Sequence, residues 1–168
     1  MNADSSETSS ANEASRAASA KAKVAIGSDH HGLALRSAII KWLESQGHTA
    51  IDVGTHSEES VDYPDIASLV GKKIAPGEVD LGILICGSGI GMSIAVNKFP
   101  GVRATAIHNV KMAEMSRRHN NANIICLSDA DFDIETNLEF VRIFLSTEFE
   151  GGRHQRRVDK ISKLEDSK

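Results

Sequence analysis

The sequence predicts an α/β protein, a single Rossmann-like domain with a five-stranded parallel sheet and helices on both faces. Three observations predict it. Short apolar runs alternate with stretches of helical periodicity from Lys23 almost to the C-terminus. Polar and glycine-rich clusters follow several of the apolar runs, where such a sheet places its ligand crevice. The chain has 168 residues, 40% hydrophobic and 25% charged, an ordinary composition for one globular domain that buries its core without disulfides.

The elements follow in order. "KVAIGS" (23–28) reads as the first strand, and polar "DHHG" follows it. Residues 33–46 set Leu35, Ile39, Trp42 and Leu43 on one helical face, with Gly47 as the stop. "TAIDVG" (49–54) is the second strand and "THSEESVDYP" a polar loop. Pro64 suits the first turn of a helix that docks through Ile66, Leu69, Val70 and Ile74. Val79, Leu81, Ile83, Leu84 and Ile85 form a buried strand that ends at Cys86, and a helix runs from about Gly89 to Asn97.

"VRATAI" is the fourth strand, then a helix over "VKMAEMSRRH", then "NANIICLS" as the fifth strand. Residues 133–147 carry Ile134, Leu138, Val141, Phe144 and Leu145 in helical register. A last helix follows "GGRHQRR". Parallel strands joined by helices of this length cross over right-handedly and cover both sheet faces.

Residues 1–21 are rich in Ser and Ala, poor in large apolar residues, and lack the apolar core of a secretory signal. They are expected to be a disordered tail, leaving 22–168 as the domain. No run approaches the ~18 apolar residues of a membrane span. A formal charge of −4 gives no reason to expect nucleic acid or an anionic membrane as partner. Cys86 and Cys126 each end an apolar run and make no disulfide framework, so a reducing, cytoplasmic setting is expected.

The chemistry-bearing residues cluster after strands. "GSGIG" (87–91) is not a dinucleotide fingerprint, because Met92 stands where the third glycine belongs, and it is not a P-loop. It fits either a tight turn or a loop whose N–H groups hold an oxyanion or phosphate. Cys86 is then either core packing or a base or nucleophile, its thiolate supported by the helix N-terminus. Cys126 has no such loop and is assigned to the core. Asp29, His30 and His31 read first as a solvated loop with Asp29 capping the next helix. His119 stands at a helix C-terminus. Arg153 and Arg157, at i and i+4, are either a solvated face or a phosphate clamp. Seven histidines show no HxxxH or Cys/His spacing, so no metal is expected.

Six stretches in a fixed order carry a resemblance: "GSDHHG", "SVDYPD", "GILICGSGIGMSIAVNK", "GVRA", "MSRRHNNANI" and "RHQRRV". Over residues 23–165 the chain resembles the type B ribose-5-phosphate isomerases, a family that also contains galactose-6-phosphate isomerase subunits. The resemblance implies a cofactor-free and metal-free aldose–ketose isomerase acting on a phosphorylated sugar. It implies that Cys86 moves a proton between C2 and C1, that amides around Gly87, Gly89 and Gly91 hold the enediolate oxygen, and that Ser88 passes protons between O1 and O2. Asp29 and His119 resemble the ring-opening groups, with Asn120 beside them. Tyr63 and Asn97 match substrate-pocket positions, and His30, Arg153 and Arg157 match phosphate ligands. The two arginines come from a neighbouring subunit, which implies a homodimer or dimer of dimers with shared sites. Cys86 with Met92 after the last loop glycine matches the cysteine branch rather than the glutamate branch.

The chain departs from the family at two places. Many members carry an arginine shortly after the fifth strand, where this chain has Ala130 within "LSDADFD". The helix after the fourth strand often begins with an aromatic, where this chain has "HNVKMAE"; either Lys111 supplies the missing positive charge or the pocket suits a different sugar. A hexose-6-phosphate isomerase and a non-catalytic sugar-phosphate-binding protein are the alternative readings.

Overall fold

The computed structural model describes residues 21–166, so the tail expected over 1–21 lies outside it except for Lys21. The five strands are β1 (Lys23–Ser28), β2 (Thr49–Asp52), β3 (Leu81–Cys86), β4 (Ala104–Ala106) and β5 (Ile124–Ser128). The six described helices are α1 (Leu33–Ser45), α2 (Tyr63–Ile74), α3 (Ile90–Val96), α4 (Val110–Arg118), α5 (Ile134–Ser146) and α6 (Arg153–Glu165). All strand pairs are parallel, in the order β2-β1-β3-β5-β4. The fold is the α/β sheet that the sequence predicts.

Side-chain alternation along the strands feeds two cores. Val24, Ile26, Ile83, Ile85, Ile125 and Leu127 point to the face covered by α1, α4 and α5. Ala25, Leu84, Cys86, Ile124 and Cys126 point to the face covered by α2 and α3. The chain therefore changes faces between β1 and β3, and this is the switch point where such sheets open a crevice at their carboxyl ends. The register sets Ser28 opposite Ile85 and Cys86 opposite Ser128, so Asp29, Cys86 and Asp129 leave adjacent strands at one level.

The structure corrects several expectations. Leu69 is 44% exposed, because α2 docks through the narrower stripe Ile66–Val70–Ile74 with Ala67 and Gly71 beside it. Gly71 lies against the Phe99 ring, too close for any side chain. Ile134 is exposed in the first turn of α5, ahead of the part that packs. The fifth strand starts at Ile124 rather than Asn121, since Asn121 has φ +45°, a turn conformation. The fourth shortens to Ala104–Ala106, although Val102 and Ile107 on either side stay buried. Asp29 does not cap α1: Gly32 holds the cap position, with no side-chain bond.

Candidate active site

At the carboxyl ends of β1 and β3 the chain builds a compact polar crevice. Asp29 is 7% exposed, its N–H donates to the Ile85 carbonyl, and its Oδ1 accepts the His31 N–H at 2.9 Å. Neighbouring strands run about 4.8 Å apart, so Asp29 stands one strand over from Cys86. His30 accepts the Val61 N–H on Nδ1 at 3.3 Å, which ties it to the loop before α2. Tyr63, in the first turn of that helix, lies on Gly91, where a Cβ would come within 2.7 Å of the phenol ring.

Cys86 closes the crevice floor. The Gly89 N–H donates to its Sγ at 3.2 Å. Gly89 adopts φ +73°, and a Cβ there would lie 2.9 Å from the Cys126 carbonyl oxygen. Gly87 has open space around it, so the loop leaves room for an oxygen beside its amides. Ser88 Oγ accepts the Ile90 N–H at 3.3 Å, and the Ser88 carbonyl faces His108 Nε2 at 3.2 Å. Cys126 is fully buried, and desolvation, then the nearby Cys86, pushes its thiol well above the usual range. It is core, as expected.

Asp129 is a member of this crevice that sequence reasoning passed over. Its N–H donates to the Cys86 carbonyl at 3.2 Å, and its Oδ1 is buried without a hydrogen-bond partner. Desolvation, then the Asp29 charge, raises its carboxyl above the ordinary range. Beneath the crevice lies a second residue that sequence reasoning missed, Arg36, only 4% exposed. Its guanidinium donates to Ser28 Oγ at 2.6 Å and to the Thr55 carbonyl, and pairs with Asp52 Oδ1 at 3.2 Å. Gly54 permits this, because any Cβ there would overlap the guanidinium.

The other predicted residues stand at the opposite end of the sheet. α4 runs antiparallel to the strands, so its C-cap His119 and the adjoining Asn120 come beside Arg103, at the amino end of β4. Roughly 15 Å of strand length separates that level from Cys86. Asn97 is there too, spending its amide on the Ser93 carbonyl and on the N–H and carbonyl of Ala104. A cleft of about 450 Å³ lies at this end, lined in part by Asn97, Asn120, Thr105, Met112 and Ile161, and it does not include Cys86. Arg153 and Arg157 lie in the first turns of α6, both exposed, on the helix whose His154 stacks on His119. Lys111 is exposed in the first turn of α4, and Ala130 is exposed after β5. The chain thus brings Asp29, His30, Tyr63, Cys86, Ser88 and the loop glycines together, and keeps His119, Asn120, Asn97 and the arginines apart from them.

Two side-chain groups bring three metal-ligating atoms within 4.8 Å of one another: Asp29–His30–His31 and His119–Glu150–His154. In the second, Arg118 occupies Glu150 and Arg153 Nε faces His154 Nε2 at 3.4 Å, so its surroundings suit an anion better than a cation.

Comparison with known proteins agrees with this architecture. Residues 24–161 match the family model described as Ribose/Galactose Isomerase. Ribose-5-phosphate isomerase B of Escherichia coli K12 is 44% identical over 85% of this chain and 96% of its own. A structure of ribose-5-phosphate isomerase B from Clostridium thermocellum superposes with a TM-score of 0.84 at 48% identity, covering 86% of this chain and 98% of that one. A crystal structure of the Mycoplasma genitalium enzyme with bound ribulose-5-phosphate gives a TM-score of 0.84 at 42% identity, over 87% and 97% of the two chains.

Proposed function

Because the chain belongs to the ribose/galactose isomerase family, we propose that it interconverts ribose 5-phosphate and ribulose 5-phosphate without a cofactor. The observation that carries this reading is the Cys86 sulfur under the Gly89 amide, one strand from a buried Asp29. Aldose–ketose isomerisation needs a base that takes a proton from C2 and returns it at C1, and donors for the enediolate oxygen formed between the two steps. The Cys86 thiolate is the base. Loop amides from Gly87 to Gly91 stabilise the oxygen, and Ser88 Oγ relays the proton between O1 and O2.

Ribose 5-phosphate is cyclic before it reacts, so a proton must also be given to the ring oxygen and one removed from O1. Asp29 and His119 take that work, with Asn120 and Tyr63 against the sugar and His30, Arg153 and Arg157 on the phosphate. His119, Asn120 and the arginines reach Cys86 from a second copy of the chain, in a homodimer with two shared sites. Exposed apolar side chains suited to such an interface support this: Leu69 on α2, Ile90 and Ile94 one turn apart on α3, and Val110 and Met112 on α4. No described helix is long and apolar enough to cross a membrane, and both cysteines are free, which fits a reducing cytoplasm.

The test is turnover of ribose 5-phosphate by wild-type protein and Cys86→Ala, purified free of contaminating isomerase. The expected result is activity in the first and a loss of about 10²- to 10⁴-fold in the second. Equal activity in both moves the base elsewhere. No pentose turnover, with turnover of a hexose 6-phosphate, reassigns the substrate; binding without turnover of either removes the enzymatic reading.

A further inference from the structure

We propose that Glu150 and His154 are positioning residues for His119, turning its Nε2 toward the Glu150 carboxylate so that Nδ1 is the nitrogen offered to the sugar ring. The assignment rests on the ring-opening role proposed for His119. Three elements converge on this one side chain. His119 ends α4, and His154 lies in the first turn of α6, 5% exposed. Their rings lie face to face, with centroids 4.1 Å apart and planes within 7°. Glu150 comes from the connection before Gly151 and Gly152, and its N–H donates to the Arg118 carbonyl at 3.0 Å, fastening that connection to the end of α4.

The Glu150 carboxylate is divided between two jobs. Oε1 takes the Arg118 guanidinium, whose Nε donates at 2.7 Å, and Arg118 is itself steadied by Glu114. Oε2 is left to the imidazoles, 3.4 Å from His154 Nε2 and 3.8 Å from His119 Nε2. A neutral imidazole carries one N–H; His154 Nε2 accepts from Arg153 Nε at 3.4 Å and so keeps its lone pair, which leaves Oε2 to an N–H on His119 Nε2. With Nε2 facing Glu150, the Nδ1 lone pair of His119 turns outward to accept a proton.

The stacked partner restricts the charge. Two imidazolium rings face to face repel each other, and burial, then the His119 charge, lowers the basicity of His154. His154 therefore serves as a neutral platform, and His119, the more exposed ring, is the one that takes up and returns a proton. A half-exposed ion-pair cluster contributes little stability by itself. Its fixed geometry around one imidazole is better explained by what that imidazole does.

The experiment uses the full chain with Glu150→Gln and Glu150→Asp, and two assays. One is conversion of ribose 5-phosphate, which requires ring opening. The other is exchange of the C1 hydrogen of ribulose 5-phosphate with solvent deuterium. The phosphate occupies O5 of this ketose, so the molecule is open-chain and exchange requires the Cys86 step alone. The expected result is that E150Q lowers kcat for ribose 5-phosphate by about 10- to 100-fold, the usual range for losing an outer partner of a working histidine, and leaves exchange within about two-fold. E150D recovers part of the loss. Unchanged kcat in E150Q overturns the inference, as does an equal fall in exchange and conversion, which marks a merely structural role. Wild-type protein that converts no ribose 5-phosphate overturns the proposed function itself, and that arm is read first.

Discussion

The Gly89 N–H donates to Cys86 Sγ at 3.2 Å from a residue whose absent Cβ would sit 2.9 Å from the Cys126 carbonyl oxygen. The thiol, the loop amide and the neighbouring strand are thus locked together at a position that only glycine occupies without strain, at φ +73°. Gly89→Ala is expected to cost at least about 1–2 kcal/mol from the left-handed backbone alone. It also moves the amide off the sulfur. The melting temperature should fall by several degrees and kcat by at least about ten-fold, read by thermal unfolding and initial rates. A variant with wild-type values in both shows that the loop has another conformation available.

Cys86 and His119 stand at opposite ends of the sheet, which makes subunit complementation a direct test of the proposed shared site. Cys86→Ala and His119→Ala homodimers should each be nearly inactive. After unfolding, mixing in equal amounts and refolding, half of the dimers are mixed, and each has one intact site of two. Activity should return to about a quarter of wild type, the share that random C2 pairing gives. No recovery, with mixed dimers demonstrated by mass spectrometry, places both residues in one protomer's site.

Arg36 ties Ser28, Asp52 and the Thr55 carbonyl together under the crevice. Removing it leaves buried polar groups without their partner. Arg36→Ala is expected to destabilise the fold by on the order of 3 kcal/mol, the scale of a broken buried ion pair. Denaturant unfolding measures this. A loss under about 0.5 kcal/mol, the level of ordinary surface substitutions, shows that water replaces the guanidinium there.

Asp129 supplies the pH prediction. Its carboxyl titrates above the ordinary range because burial and the Asp29 charge disfavour its ionised form. A folded state that holds this proton longer than the unfolded chain loses stability as pH rises from the ordinary carboxyl value through the folded one. Above that window ionised Asp129 is a standing cost. Asp129→Asn should therefore raise the melting temperature at pH 7.5, with the gain fading toward pH 4. A variant less stable than wild type at pH 7.5 shows that the ionised carboxylate is held by a partner in solution.

The ladder of elements was legible because periodicity is local. Leu35, Ile39 and Leu43 on α1 and the β3 run into Cys86 needed only side-chain spacing, and all lie buried as expected except Leu81, which is half-buried. Leu69 and Ile134 misled for the complementary reason. Spacing shows that a residue can face inward, while the width of the docking stripe depends on what packs against it. Arg36 gave no signal at all, since an arginine on a helix normally reads as surface and its burial depends on Gly54 and Asp52 arriving from another strand.

Within the site, the glycine loop and its cysteine are one continuous stretch, so backbone chemistry alone marked them. His119, Glu150 and His154 meet only because α4 runs down one face and the connection to α6 folds back beneath its end. The fold class and the placement of Cys86, the proposed base, between a buried strand and a glycine loop were determined by the sequence itself, through hydrophobic period and the glycines that follow. Tertiary structure alone decided that His119 and Cys86 stand at opposite ends of the sheet, because helices that connect parallel strands must run against them.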